Sequence, residues 1–321
     1  MMNKKYHLII STIFILQILL GACSSKSPVQ STNSLNGTIT ISGAFALYPM
    51  MQVWAEEFTK VNPGVTFDIS AGGAGKGMAD TLAGAVDIGM VSREITKEEE
   101  DQGAFWVAVT KDAVFAVVNA QNPVLQDLLS KGVSRDTLLG IYITGDITTW
   151  GQAVNNPDIK DEIHVYTRSD ACGAADNWAK FLGNKQENLL GIGVSSDPGL
   201  LDAVVKDPLG IGYNNLNYAF DVDTGKPVTG ATILPIDFNI NGLVDVEELI
   251  DTKAKAVEMA MNGQYPMPPA RLEFLVTKEK PTELMQSFIQ WILTDGQKYV
   301  SETGYIELTQ EQLTASLDKI K

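Results

Sequence analysis

Three observations predict an α/β fold with parallel strands. Between residues 37 and 91, strand-like and helix-like segments alternate as β-α-β-α-β. Glycine-rich turns stand where those strands pass into helices. Residues 107–119, VAVTKDAVFAVVN, form one β-rich run long enough to cross from one body into a second.

The elements follow in chain order. Residues 37–42, GTITIS, alternate as a strand does. A helix is expected over 49–61, with Met51, Trp54, Ala55 and Phe58 at helical spacing, and Asn62-Pro63-Gly64 ends it. Residues 65–70 read as a second strand, 78–85 as a helix and 87–91 as a third strand. Beyond the 107–119 run, helical and extended segments alternate to about residue 221. The stretch 221–227, DVDTGKP, reads as a tight turn, 233–236 as a strand, 246–261 as an amphipathic helix and 271–277 as a strand. A final helix is expected over 281–300, with Leu284, Phe288, Trp291 and Ile292 on one face. There is no internal repeat, and 321 residues suffice for two cores of about 100–150 residues each.

Composition narrows the function. With 45% hydrophobic and 20% charged residues, the chain is not disordered, collagenous or a polytopic membrane protein. A net charge of −15 argues against a nucleic-acid or anionic-membrane binder. At the start, Lys4 and Lys5 precede an apolar run from Leu8 to Leu20, too short to span a bilayer but suited to a signal peptide. Leu20-Gly21-Ala22-Cys23 resembles a lipoprotein processing site, which makes residues 1–22 the signal and Cys23 the lipidated terminus; the alternative is an ordinary signal peptide cut near Ala22. Cleavage removes two lysines and no acids, leaving −17 from 22 basic and 39 acidic residues. Residues 23–37, Ser-rich and nearly free of large apolar side chains, read as the anchor and a flexible tether. With Cys23 committed to lipid, Cys172 has no partner for an intrachain disulfide.

The chemistry concentrates in three strand-to-helix turns. They are Gly43-Ala44-Phe45-Ala46, the run Gly72 to Gly77, and Ala171-Cys172-Gly173-Ala174-Ala175, which follows a strand at 163–167 and precedes a helix at 177–182. Each would aim backbone N–H groups and a helix amino end at one point, which is how proteins bind anions.

These turns carry a resemblance. GAFALYP at 43–49, AGGAGKG at 71–77, VDIGMVSR at 86–93, YTRSDACGA at 166–174, GIGY at 210–213 and GYIEL at 304–308 are similar to the phosphate-binding extracytoplasmic solute-binding proteins of ABC transporters. The resemblance covers nearly all of residues 38–310. It implies a two-lobed α/β periplasmic-binding-protein fold of type II, with the ligand in the cleft between lobes. Lobe 1 is then expected at 38–115 plus 230–321 and lobe 2 at 116–229. The implied ligand-binding residues are Ala44, Phe45 and Ala46; Ser70, Ala74, Gly75 and Lys76; Ser92; and Cys172, Gly173 and Ala174. Arg168 takes the place of the family's ligand-binding arginine, and Asp87 that of its acidic acceptor. A guanidinium fork suits a tetrahedral oxyanion. A carboxylate beside an anion is useful only if the ligand has a proton to donate, so it would admit protonated phosphate and reject sulfate. The bland alternatives are an interlobe salt bridge for Arg168 and a partly buried helix or loop acid for Asp87.

This chain departs from the family in the loops. Serine and threonine are usual there, but Phe45, Ala46, Ala74, Lys76, Cys172 and Ala174 occupy the positions. Ser70 and Ser92 remain as hydroxyl donors, and Lys76 offers a compensating charge. The expected ligand is inorganic phosphate, with another oxyanion or a phosphonate as the alternative. The expected partners are an ABC permease and ATPase, and a bilayer through Cys23. A monomer outside the cytoplasm is expected, with no nucleic acid, no catalysis and no required cofactor.

Two further patterns stand apart. Residues 237–248 fit the calcium-loop pattern D-x-[DN]-x-[DN]-G-x5-E, placing Asp237, Asn239, Asn241, the Leu243 carbonyl, Asp245 and Glu248 at its six ligand positions. A structural calcium ion is expected there; the alternative is an Asn-Gly turn with Asp245 capping the next helix and Glu248 as its capping-box partner. A hydrolase using Cys172 with His164, the one histidine left after cleavage, lacks a third member, and Trp178 stands where a C-x5-R phosphatase loop needs arginine.

Overall fold

The computed structural model describes residues 35–265 and 270–321. The expected signal peptide, Cys23 and most of the tether lie outside them. Among the described residues no helix is long and apolar enough to cross a membrane.

Among the described residues, ten strands form two five-stranded sheets. The first holds β1 (Gly37–Gly43), β2 (Val65–Ala71), β3 (Ile88–Val91), β4 (Ala104–Asp112) and β10 (Arg271–Lys278), ordered β2-β1-β3-β10-β4. β1 runs parallel to β2 and β3, in register from Gly37↔Val65 to Gly43↔Ala71. β10 is antiparallel to β3 and β4. The second sheet holds β5 (Val114–Asn119), β6 (His164–Arg168), β7 (Ile192–Val194), β8 (Gly210–Asn215) and β9 (Ala231–Ile233), ordered β7-β6-β8-β5-β9. The long β-rich run is therefore two strands, one per sheet, broken only at Ala113.

Each sheet has its own core. On the first, the helix Tyr48–Val61 buries Met50, Met51, Trp54, Ala55 and Phe58, and Phe58 packs edge-on against Phe288 of the helix Glu283–Ile292. On the second, Trp178 of the helix Gly173–Phe181 stacks on Tyr213 at 5.6 Å. The other face of that sheet is closed by the helix Lys253–Met261, whose Ala256 and Met259 meet Phe115, Phe220 and Ile233.

That last layer corrects the lobe boundary. Residues 231–265 belong to the second body, because β9 pairs with β5 and the Lys253–Met261 helix packs beside it. The chain returns to the first sheet at Arg271, opposite Asp112, rather than near residue 230. Two helices are also shorter than expected. Residues 246–252 are turns and loop, and the helix starts only after Thr252, whose hydroxyl accepts from Lys255 N–H. The 281–300 helix stops at Ile292, because the chain tightens through Asp295–Gln297 before Lys298–Glu302 resumes.

Candidate functional site

Parallel strands direct their carboxyl ends, and the helices that follow, toward one edge. Here β1, β2 and β3 end at Gly43, Ala71 and Val91, and β6 ends at Arg168. The three glycine-rich turns leave from these ends and meet. Gly43, at φ 138°, lies so close to β3 that a side-chain carbon would sit 2.2 Å from the Met90 carbonyl. Across the lobes, Gly75 N–H donates to the Ala171 carbonyl at 3.1 Å. The closest approach is Gly173, where an added Cβ would stand 2.0 Å from the Ser92 carbonyl oxygen. That carbonyl also accepts from Asn177 Nδ2 of one lobe at 3.2 Å and Arg271 Nε of the other at 2.8 Å. Tyr218 donates to the Phe45 carbonyl at 3.1 Å, and Lys180 pairs with Glu94 at 2.9 Å. The lobes are thus in contact along the cleft.

Arg168 lies at this junction with its side chain only 1% exposed. Nε and Nη2 grip Asp170 Oδ1 and Oδ2 at 2.8 and 2.6 Å, and Nη1 donates to Asp197 Oδ2 at 2.6 Å. The Phe45 ring covers the guanidinium, its centroid 5.4 Å from Cζ. Burial opposes the charge of Arg168, but the Asp197 carboxylate more than offsets this and raises its pKa. Asp197 is itself pushed upward by burial, against the pull of Arg168. Asn215 Nδ2 donates to its other oxygen at 2.7 Å, and Arg271 Nη2 donates to Asn215 Oδ1 at 2.6 Å. A continuous polar chain therefore runs from Arg168 through Asp197 and Asn215 to Arg271. Beside it, burial raises Asp112 to about 6 and lifts Glu273 well above the usual carboxylate range.

The expected residues divide. Phe45, Gly75, Ser92, Arg168 and Gly173 come together, with Ala44, Ala46, Ala74, Cys172 and Ala174 buried behind them. Lys76 is turned onto Asp80, which also accepts from Ser42 at 2.7 Å. Ser70 is exposed on β2, its hydroxyl 3.5 Å from the Ile41 carbonyl. Asp87 is misplaced by the sequence reading. It precedes β3, and its Oδ2 accepts from Thr40 N–H and Oγ1, both at 2.8 Å. At about 3.3 Å per strand residue that is roughly 16 Å from Ser92, at the far end of the sheet. The carboxylates at the cleft are instead Asp170 and Asp197. Asp170 was within the quoted YTRSDACGA motif, and its spacing from Arg168 was the available signal. Nothing in the sequence singled out Arg271, a strand residue brought here by β10.

The 237–248 loop closes on itself. Asp237 accepts from Asn241 and Gly242 N–H at 3.1 and 2.8 Å, and Glu248 accepts from Phe238 and Asp245 N–H at 2.7 and 3.1 Å. The side chains of Asn239 and Asn241 converge on Asp245 Oδ2 at 2.7 and 2.9 Å. Leu243 is exposed, and 246–252 is irregular, so Asp245 caps a turn rather than a helix; of the capping alternative, the arm from Glu248 to Asp245 N–H is present. Among the described residues no three acidic, histidine or cysteine side chains are gathered as a metal site.

Two outcomes follow from the cleft geometry. Gly173→Ala cannot bring its methyl against Ser92, so the lobes should stay apart, read as a larger radius of gyration by small-angle scattering with an unchanged melting temperature. Burial raises the Cys172 thiol to about 12, with Arg168 opposing. The folded protein at pH 8 should therefore resist alkylation, and denaturant should release full reactivity.

The comparisons place this architecture. Residues 28–296 match the PBP superfamily domain. The phosphate-binding protein PstS of Bacillus subtilis is 27% identical, over 97% of this chain and 96% of that protein. Protein SphX of Synechococcus elongatus is 25% identical over 94% and 87%. A crystal structure of a candidate phosphate ABC transporter substrate-binding protein from Clostridium perfringens, with bound phosphate, is 26% identical; it superposes with a TM-score of 0.69, covering 85% of this chain and all of that one. An ABC-type phosphate transport receptor from Vibrio cholerae, 21% identical, shares the fold at a TM-score of 0.60, over 84% of this chain and all of that one. With two sheets meeting at the carboxyl ends of their parallel strands, and a family match spanning most of its length, this chain belongs to the PBP superfamily.

Proposed function

We propose that the protein is the substrate-binding component of an ABC importer and captures inorganic phosphate between its lobes. The observation that carries this reading is the buried Arg168, set where glycine-rich turns from both lobes converge. A guanidinium and helix amino ends supply the donors an oxyanion needs, and small residues let backbone approach it. The likeness to phosphate-binding relatives supports the same ligand. With Phe45, Ala74, Cys172 and Ala174 in the turns, recognition rests on backbone N–H groups and Arg168 rather than hydroxyls.

Binding, not catalysis, is the role. The Cys172 hydrolase alternative loses its base, since His164 opens β6 and Cys172 lies beyond the other end of that strand at Arg168, about 13 Å along it, and the thiol is buried. In this reading the closed form docks on a membrane permease driven by an ATPase, and Cys23 carries the lipid that holds the protein outside the cytoplasm. Calorimetric titration of residues 37–321 with phosphate tests the ligand. Micromolar or tighter binding is expected, and Arg168→Lys, which keeps the charge but loses the fork, should weaken it about tenfold or more. Absence of phosphate binding, with another oxyanion or a phosphonate bound instead, would select the alternative ligand.

A second reading concerns the 237–248 loop. The D-x-[DN]-x-[DN]-G-x5-E spacing supports a structural calcium site, and binding would require Asn239 and Asn241 to turn, since their Nδ2 groups donate to Asp245 while their Oδ1 atoms accept from Asn241 and Leu243 N–H. Asp237, Asn239, Asn241, the Leu243 carbonyl, Asp245 and Glu248 would then offer an oxygen-only donor set, which suits this hard cation. At about 1 mM calcium and a Kd of about 10⁻⁴ M, the gain is about 1.4 kcal/mol. A rise of a few degrees in melting temperature over chelator is expected, abolished in Asp245→Ala; no rise would leave a metal-free turn.

A further inference from the structure

We propose that Arg271 is a two-position latch between the lobes, bound to the second lobe when the cleft is closed and to Glu273 of its own strand when the cleft opens, and that this exchange sets ligand affinity from outside the ligand site. The inference takes from the reading above that the protein binds by lobe closure; it does not depend on which anion is bound.

β10 brings Arg271 to the point where the chain crosses between sheets. It stands opposite Asp112, and Ala113 alone separates β4 from β5 there. From this position the guanidinium spans both lobes. Nε donates to the Ser92 carbonyl, just past the end of β3, at 2.8 Å. Nη2 donates to Asn215 Oδ1 on β8 at 2.6 Å, with Asp112 Oδ2 at 3.4 Å.

Glu273 lies two residues along, on the same face of the strand, with Oε1 only 3.3 Å from Arg271 Nε. That ion pair carries no hydrogen bond. Nε has one hydrogen, and the Ser92 carbonyl takes it. Among the described residues neither Glu273 oxygen receives a donor, and Arg271 Nη1, with two hydrogens, donates to nothing. The neighbouring hydroxyls are committed elsewhere. Thr110, paired with Glu273 across the ladder, donates to the Ile306 carbonyl at 3.0 Å, and Tyr305 donates to the Ala46 carbonyl at 2.6 Å. Glu273 is 0% exposed and Arg271 4%, so bulk water reaches neither.

A buried carboxyl without a donor, beside a guanidinium with unused hydrogens, is unfavourable by itself and must be held by another contact. The other lobe supplies it, through Asn215. Released from Asn215 and Ser92, the guanidinium can turn onto Glu273 as a bidentate pair, which satisfies both groups. Closure breaks that pair and opening restores it. The latch reaches the ligand arginine through two side chains: Asn215 Nδ2 donates to Asp197 Oδ1 at 2.7 Å, and Asp197 Oδ2 accepts from Arg168.

Small-angle scattering without ligand and calorimetric titration with phosphate test the latch in wild type, Glu273→Gln and Asn215→Ala, each first checked by thermal melting. Glu273→Gln removes the charge that holds Arg271 in the open position. Its unliganded radius of gyration should fall below wild type, and its phosphate affinity should rise about three- to tenfold, because less binding energy is spent on closure. Asn215→Ala removes the closed-position acceptor, so the radius should rise and the affinity fall about tenfold. A merely structural Glu273 would move the melting temperature and neither of the other readouts. If Glu273→Gln leaves the radius and the affinity at wild-type values, or weakens binding, the inference falls. If none of the proteins binds phosphate, the function proposed above fails, while the unliganded radii still decide the latch.

Discussion

A guanidinium can be buried only if its charge and its donors are met, and Arg168 shows what that demands of the surrounding fold. Its two carboxylate partners come from different places, Asp170 from its own turn and Asp197 from the start of the helix Asp197–Lys206. The turn and the helix are therefore fixed relative to β6. The Tyr213 hydroxyl, accepting from Arg168 N–H at 3.1 Å, ties the same point to β8. The residue that presents charge to the cleft is also the residue around which the second sheet is registered at its carboxyl edge.

The second constraint is closeness. Turns from two lobes can meet only where no side chain intervenes, and Gly73, Gly75 and Gly173 stand at those contacts. The Ser92 carbonyl is the meeting point, with Arg271 on one side and Asn177 on the other. Arg271 belongs to β10, which pairs with β4 at Asp112, one residue before the chain crosses to the second sheet. The cleft floor and the crossover thus share one buried network. Burial lifts the pKa values of its acids, and the arginines beside them oppose that shift.

Loss of loop hydroxyls changes how such a site can discriminate. A hydroxyl both donates and accepts, and adapts to its ligand; a backbone N–H only donates. With alanine, cysteine and phenylalanine in the turns, the donors left there are backbone N–H groups. Phe45, lying over the guanidinium, narrows the approach further.

Strand and helix periodicity, the glycine turns and their order were legible from the sequence alone, because they are local: alternation marks β1, four apolar residues at helical spacing mark the Tyr48–Val61 helix, and glycine marks each turn. Arg168 was legible through the resemblance that YTRSDACGA carries, and it stands as the last residue of β6 before such a turn. What only the tertiary structure decided depends on distant pairing. β9, three residues long, carries almost no periodicity of its own, so its allegiance to β5 and the lobe boundary near Arg271 are invisible in the linear chain. The role expected of Asp87 failed although a rule was at hand: it precedes its strand, while each glycine-rich turn of the cleft follows one. Arg271 and Asp197 reached the cleft by sheet order and by burial beside a partner, and neither is written in any window of consecutive residues.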